Sequence, residues 1–137
     1  MNVREIRKDE LDQILSRLND FDDFWAKEMY LSEFKNKYSK IYVLDDLSGL
    51  FVIQEGLDES FLMNIAVDKS HRNKGRGKLL LQNFLKLAKN ERILLEVDEN
   101  NEIAIKLYKA FGFNEISRRN KYYKDKTAII MEYRKLK

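Results

Sequence analysis

FLMNIAVDKSHRNKGRGKLLLQNFLKLA, residues 61–88, changes its hydrophobic period halfway along. Phe61 to Val67 is a short β-prone run, whereas from Gly77 onward leucine and phenylalanine recur at helical spacing. Between them lies a turn rich in cations and glycine, Arg72-Asn73-Lys74-Gly75-Arg76-Gly77-Lys78. A strand that enters a helix through such a turn aims unpaired backbone N–H groups, and the positive end of the helix dipole, at one spot. That spot suits a phosphate. A side chain at Gly75 or Gly77 would block close approach of the backbone to a ligand, or forbid a positive φ angle. On the glycines alone, an ordinary basic strand-to-helix turn is an equal alternative. Spacing excludes two phosphate loops: one residue separates Gly75 from Gly77 and Leu79 follows Lys78, so this is no P-loop, and Leu80 stands where a dinucleotide fingerprint needs its third glycine.

Working outward, Asn2 to Arg7 reads as a short edge strand, followed by a helix capped by Asp9 and running to about Asn19, with Leu11, Ile14, Leu15 and Leu18 on one face. Residues 20–30 form a loop into a second helix, roughly Ala26 to Tyr38. Lys40–Leu44 and Leu50–Gln54 are strands joined by the hairpin-prone turn Asp45-Asp46-Leu47-Ser48-Gly49. After the helix that begins at Gly77 come a strand, Arg92–Val97, and a helix, Asn101–Ala110, whose buried stripe is Ala104, Leu107, Tyr108 and Phe111. Gly112 ends that helix, and strands Phe113–Arg118 and Thr127–Tyr133 complete the chain. Strands that first form a meander and later alternate with helices predict an α/β (α+β) fold: a mixed sheet, antiparallel at its start, with helices on both faces.

The 137 residues make one domain, 1–137, with no proline, five glycines and no repeat or linker. The absence of cysteine excludes disulfides, thiolate metal sites and a cysteine nucleophile, and a single histidine forms no histidine cluster, so no metal is expected. Apolar runs such as Leu50–Ile53 are too short to span a bilayer, and the expected location is cytoplasmic, with no membrane partner. Residues 1–60 carry 8 Lys/Arg against 14 Asp/Glu, and residues 61–137 carry 18 against 9. A basic half suits a polyanionic cofactor and an acidic half suits a protonated amine or basic peptide, although halves of a sequence need not be halves in space.

The turn Arg72-Asn73-Lys74-Gly75-Arg76-Gly77, with Asn64-Ile65-Ala66-Val67-Asp68 before it, resembles the phosphate-binding turn and central strand of the GNAT N-acetyltransferase superfamily. Downstream, Leu95-Glu96-Val97, Asn101, Ala104-Ile105, Leu107-Tyr108, Phe111-Gly112-Phe113-Asn114-Glu115, Arg118-Arg119-Asn120, Tyr122-Tyr123 and Ala128-Ile129-Ile130-Met131 resemble the RimI-type, ribosomal-protein-alanine acetyltransferases. The resemblance covers residues 61–133; residues 1–60 match poorly, with Phe24-Trp25 where the family has Pro-Trp. It implies a GNAT-like, mostly antiparallel sheet of about six to seven strands. It also implies acetyl-coenzyme A as co-substrate, and transfer to the N-terminal α-amine of a protein, such as a ribosomal protein. Cofactor contacts implied are Ile65, Ala66 and Val67, the turn from Asn73 to Lys78, and Asn101; Arg72 belongs to the same turn.

Such a transfer needs a held cofactor, a polarised carbonyl, an amine stripped of its proton and a proton for the departing thiolate. Backbone N–H groups around Ile65–Val67 can polarise the carbonyl where a bulge or splay leaves that edge unpaired. Glu96 interrupts the aliphatic run Ile93-Leu94-Leu95-Glu96-Val97 and is the candidate base, the alternative being a solvent-facing glutamate. Tyr108 is the candidate acid, the alternative being a core tyrosine. The resemblance implies the same two roles. No activated nucleophile is visible, so attack is direct. Trp25 with Asp20, Asp22 and Asp23 can meet a basic N-terminus or form a solvated acidic loop. His71 reads as a surface loop residue. Arg118, Arg119 and Lys121 fit nucleic acid no better than many other surfaces. Two further readings remain: transfer to a lysine side chain, polyamine or small amine, and a non-catalytic module binding coenzyme A or RNA.

Overall fold

The structure is a computed structural model that describes residues 1–21, 25–123 and 125–135; side chains are described except at 121–123. Asp22, Asp23 and Phe24, invoked above for the acceptor side, lie outside the described residues. Among the described residues seven strands and four α-helices follow one another: β1 (Val3–Glu5), α1 (Lys8–Leu15), α2 (Lys27–Lys35), β2 (Ser39–Leu44), β3 (Gly49–Glu55), β4 (Glu59–Val67), α3 (Arg76–Leu87), β5 (Arg92–Asp98), α4 (Glu102–Ala110), β6 (Asn114–Tyr123) and β7 (Lys126–Arg134). Strand order in the sheet is β1-β2-β3-β4-β5-β7-β6. Pairing is antiparallel for β1–β2, β2–β3, β5–β7 and β6–β7, and parallel for β4–β5. The mixed, mostly antiparallel sheet of the sequence reading is therefore present. The chain divides into two compact units, one of residues 1–54 and 63–87, the other of 55–62 and 88–137.

In the first unit β3 explains why its strands read as continuous apolar runs. Gly49 through Ile53 are all buried, because successive side chains leave opposite faces and both faces are covered. Leu50 and Val52 join a cluster with Leu11, Ile14 and Tyr30 of α1 and α2. Phe51 turns the other way and meets Phe84 of α3 edge-on at 5.7 Å.

Helix α1 is capped at Arg7, two residues before the expected cap Asp9, and ends at Leu15 rather than Asn19. Its start is set by Glu10, not Asp9: the Glu10 carboxylate reaches back to the Arg7 N–H (3.0 Å) and takes Arg4 Nη1 of β1 (2.7 Å). Leu18 continues the apolar period inside a 3-10 turn, Leu18–Asp20. Hydrogen bonds from Arg4, with help from the Arg7 N–H, hold the Glu10 carboxyl down at about 2 although burial opposes ionisation. A carboxyl depressed in the folded state stabilises above its unfolded value near 4.5, and that contribution is lost as pH falls toward 2. Glu10→Gln is expected to lose about 1–3 kcal/mol at neutral pH and to flatten that acid limb, read by urea unfolding at a series of pH values.

In the second unit β5 pairs with β4 on one side, from Glu59–Arg92 to Leu62–Leu95, and with β7 on the other. Ile93, Leu95 and Val97 are buried on one face. Helix α4 stops as expected at Gly112, whose φ of +104° lets the Gly112 and Phe113 N–H groups fold back onto the carbonyls of Lys109 (3.0 Å) and Tyr108 (3.0 Å).

Candidate active site

The turn of residues 72–78 lies wholly within the first unit. At the end of β4, buried Asp68 caps the 3-10 turn Lys69–His71 by accepting the Ser70 N–H at 2.9 Å, and its other oxygen takes Arg17 Nη1. The Ser70 N–H and Arg17 together hold the Asp68 carboxyl down at about 2. Its own N–H donates to the Ser48 carbonyl at 2.7 Å. The start of the turn is thus bolted to the β2–β3 hairpin.

Two residues of the turn have positive φ, Asn73 at 63° and Gly75 at 82°. The sequence anticipates the glycine; asparagine is among the few other residues that tolerate this region, which is the signal that could have marked Asn73. Gly77 is the second residue of α3 and needs no such freedom. Gly75 closes the helix by accepting the Leu79 N–H at 3.1 Å. That leaves the N–H groups of Arg76, Gly77 and Lys78 without a carbonyl one turn back, at the positive end of a 12-residue helix. A Cβ built on Gly75 meets nothing within 4 Å, so the space over the turn is open. Three helix N–H groups, open space and the exposed lysines Lys74 and Lys78 fit a pyrophosphate. Gly75→Ala is expected to cost about 1–2 kcal/mol of stability through the positive φ, and to weaken coenzyme A binding further by crowding that space, measured by urea unfolding and titration calorimetry.

The arginines of the turn face the protein. Arg72 donates to the carbonyls of Val67 (3.0 Å) and Phe21 (3.1 Å), fixing the turn to the strand that precedes it. Arg76 donates to Ser48 Oγ (2.8 Å) and Asp46 Oδ2 (3.1 Å), while Asp46 Oδ1 accepts from the Ser48 N–H and hydroxyl. Burial works against the Asp46 charge, yet these bonds from Ser48 and Arg76 hold its carboxyl below the usual range. Asp46 and Ser48, read from the sequence only as part of a hairpin turn, thereby belong to the support of this turn. His71 Nδ1 lies 3.0 Å from Ser70 Oγ. In β4 the Ile65 N–H donates to the side-chain oxygen of its own neighbour Asn64 at 2.9 Å, and Ala66 is buried.

The second unit holds the proposed acid and base. Glu96, opposite Ile130 in the β5–β7 pairing, is on the face away from Ile93, Leu95 and Val97, with its side chain 46% exposed. Its Oε1 accepts from Arg119 Nε of β6 at 2.9 Å. Arg118 beside it pairs with Glu115 (2.7 Å) and Glu99 (3.0 Å). These carboxylates offset the basic stretch that had suggested nucleic acid. Tyr108 is buried, 5.8 Å centroid to centroid from Phe113, and burial pushes its phenol up to about 12. Among the described residues no group takes its hydroxyl. Asn101 caps α4 by accepting the Ala104 N–H at 3.2 Å.

A basic turn with helix-terminal donors suits a phosphate-bearing ligand, and comparison with known proteins supplies the class. Residues 4–113 match the model of the acetyltransferase (GNAT) family, and the chain belongs to that family. The match includes most of residues 1–60, where the sequence resemblance was poor. The [ribosomal protein bS18]-alanine N-acetyltransferase of Salmonella typhimurium is 32% identical over 104 residues, 72% of this chain and 70% of that protein. The enzyme of the same name from Haemophilus ducreyi is 36% identical over 72% of each chain. The crystal structure of the ribosomal-protein-S18-alanine N-acetyltransferase from Escherichia coli superimposes with a TM-score of 0.86 at 26% identity, covering 97% of this chain and 92% of that one. The chain is an acetyl-coenzyme A-dependent N-acetyltransferase. No helix among the described residues is long and apolar enough to cross a membrane.

Proposed function

We propose that the chain acetylates the N-terminal α-amine of a protein, with a ribosomal protein as the first acceptor to test. The observation that carries this reading is the likeness over 72% of the chain to enzymes named for ribosomal protein alanine acetylation. Bound acetyl-coenzyme A supplies a thioester, whose acetyl carbon exchanges its bond to sulfur for a bond to the amine nitrogen. The N–H groups of Arg76, Gly77 and Lys78, with the Lys74 and Lys78 ammonium groups, hold the pyrophosphate. Arg72 and Arg76 keep the turn in shape through Val67, Phe21, Ser48 and Asp46. Asn101 completes the cofactor contacts from the start of α4. An α-amine with a pKa of about 7.7–8.0 is partly protonated near neutrality, and Glu96 takes the proton it must shed. Tyr108 gives its phenolic proton to the departing thiolate sulfur.

The deciding experiment incubates the protein and acetyl-coenzyme A with peptides that begin with alanine, and with the same peptides blocked at the N-terminus but carrying lysine. Mass spectrometry is expected to find acetyl only on free N-termini. Acetyl on lysine in the blocked peptides, or on a polyamine alone, would overturn the α-amine reading.

A further inference from the structure

The geometry points to Asn64 as a displaceable stopper on the edge of β4: its carboxamide occupies the Ile65 N–H, and acetyl-coenzyme A must dislodge it to use that donor. This rests on the proposed role of Ile65–Val67 in cofactor binding. A strand N–H ordinarily finds a carbonyl of the adjacent strand. The parallel pairs with β5 run from Glu59 to Leu62 only, so Ile65 lies past them. There the Asn64 Oδ1 takes its N–H at 2.9 Å, a local side-chain substitute for a ladder bond.

The other end of the carboxamide is also held. Asn64 Nδ2 donates to Tyr30 Oη at 2.9 Å. Tyr30 is fully buried in α2 and packs edge-on against Trp25, with ring centroids 5.0 Å apart. Because the Ile65 N–H can meet only the oxygen, and the tyrosine oxygen accepts from the NH2, the amide orientation is fixed at both ends. A ligand carbonyl arriving at Ile65 therefore exchanges one protein hydrogen bond for another and gains little from this donor. Asn64 is a positioning residue: it sets how much of the Ile65 N–H is available and leaves the reacting atoms alone. Tyr30 sets how firmly the stopper is seated.

Titration calorimetry of the full chain with acetyl-coenzyme A, without an acceptor amine, tests this directly. Asn64→Ala is expected to tighten Kd about three- to tenfold, the worth of one hydrogen bond no longer displaced. Asn64→Asp, whose carboxylate grips the N–H harder and has no NH2 for Tyr30, is expected to weaken it about tenfold. In turnover the alanine variant is expected to lower KM for acetyl-coenzyme A with kcat nearly unchanged, as for a change in uniform binding. Since Asn64→Ala removes a donor from buried Tyr30, the double variant with Tyr30→Phe removes both partners and carries the same expectation should the single variant fold poorly. Unchanged or weaker binding in these alanine variants, while wild type binds acetyl-coenzyme A, overturns the stopper and leaves the cofactor site standing. No binding by wild type overturns the cofactor site itself.

Discussion

Tyr108→Phe is expected to lower kcat by about 10²- to 10⁴-fold, the usual worth of a positioned general acid, with coenzyme A affinity and Tm close to wild type. The reason for expecting so clean a separation is the burial of the side chain. The ring is packed against Phe113, which in turn lies 5.3 Å from Tyr133, and phenylalanine preserves those contacts. Among the described residues the hydroxyl has no partner to lose, so its removal costs the fold little. Burial lifts the phenol to about 12, so it is protonated throughout the working range and its loss does not shift any limb of the pH profile near neutrality. At alkaline pH the two proteins should differ in stability. A phenol raised above its unfolded value of 10.0 favours the fold fully below pH 10, and that preference is lost as pH rises through about 12. The phenylalanine variant lacks this alkaline fall. A variant with wild-type kcat would make Tyr108 a core residue only, and the proton for sulfur would have to come from elsewhere.

What the sequence could and could not foretell follows from the range of the interactions involved. The switch from strand to helix at residues 61–88, the stop at Gly112 and the positive φ at Gly75 are local, and the pattern of apolar residues and glycines carries them. Arg72 and Arg76 looked like phosphate ligands because charge beside a glycine turn is also local. The structure adds partners within the protein: the carbonyls of Val67 and Phe21 for Arg72, and the side chains of Asp46 and Ser48 for Arg76; all but Val67 lie 28 to 51 residues away in the chain, and no spacing rule reaches that far. Arg119 was missed as the partner of Glu96 for a related reason. The β6–β7 register shifts between Glu115 and Ser117 and again between Arg119 and Tyr123, so the parity of β6 side chains cannot be counted from the sequence. Glu96 itself was legible as a charge in an aliphatic strand, but the face it occupies became clear only once Ile93, Leu95 and Val97 were seen buried together.

Glu96→Gln is expected to lower kcat/KM for a free N-terminal peptide by about 10²- to 10⁴-fold at neutral pH, with acetyl-coenzyme A affinity retained. Glutamine keeps the shape of the side chain and still offers Arg119 an oxygen, but it cannot take a proton from the substrate. Because both members of the Glu96–Arg119 pair are about half exposed, its weakening should change stability by no more than about 1 kcal/mol, so a large rate effect cannot be laid to misfolding. The deficit should also depend on pH in a particular way. A base takes the proton that the nitrogen sheds on becoming an amide, and for α-amine that arrives protonated it must remove one more before attack; that second demand falls as pH rises through about 7.7–8.0. The ratio of wild-type to variant rates is therefore expected to shrink across that range, in steady-state assays with one peptide from pH 6.5 to 9.5. Arg119→Ala, which removes the partner but leaves the carboxylate, should retain far more activity than Glu96→Gln, because the proton acceptor itself is still present. A ratio that stays flat across the range would take Glu96 out of deprotonating the arriving amine, and a wild-type rate in Glu96→Gln would leave it only as the ion-pair partner that holds Arg119 on the sheet.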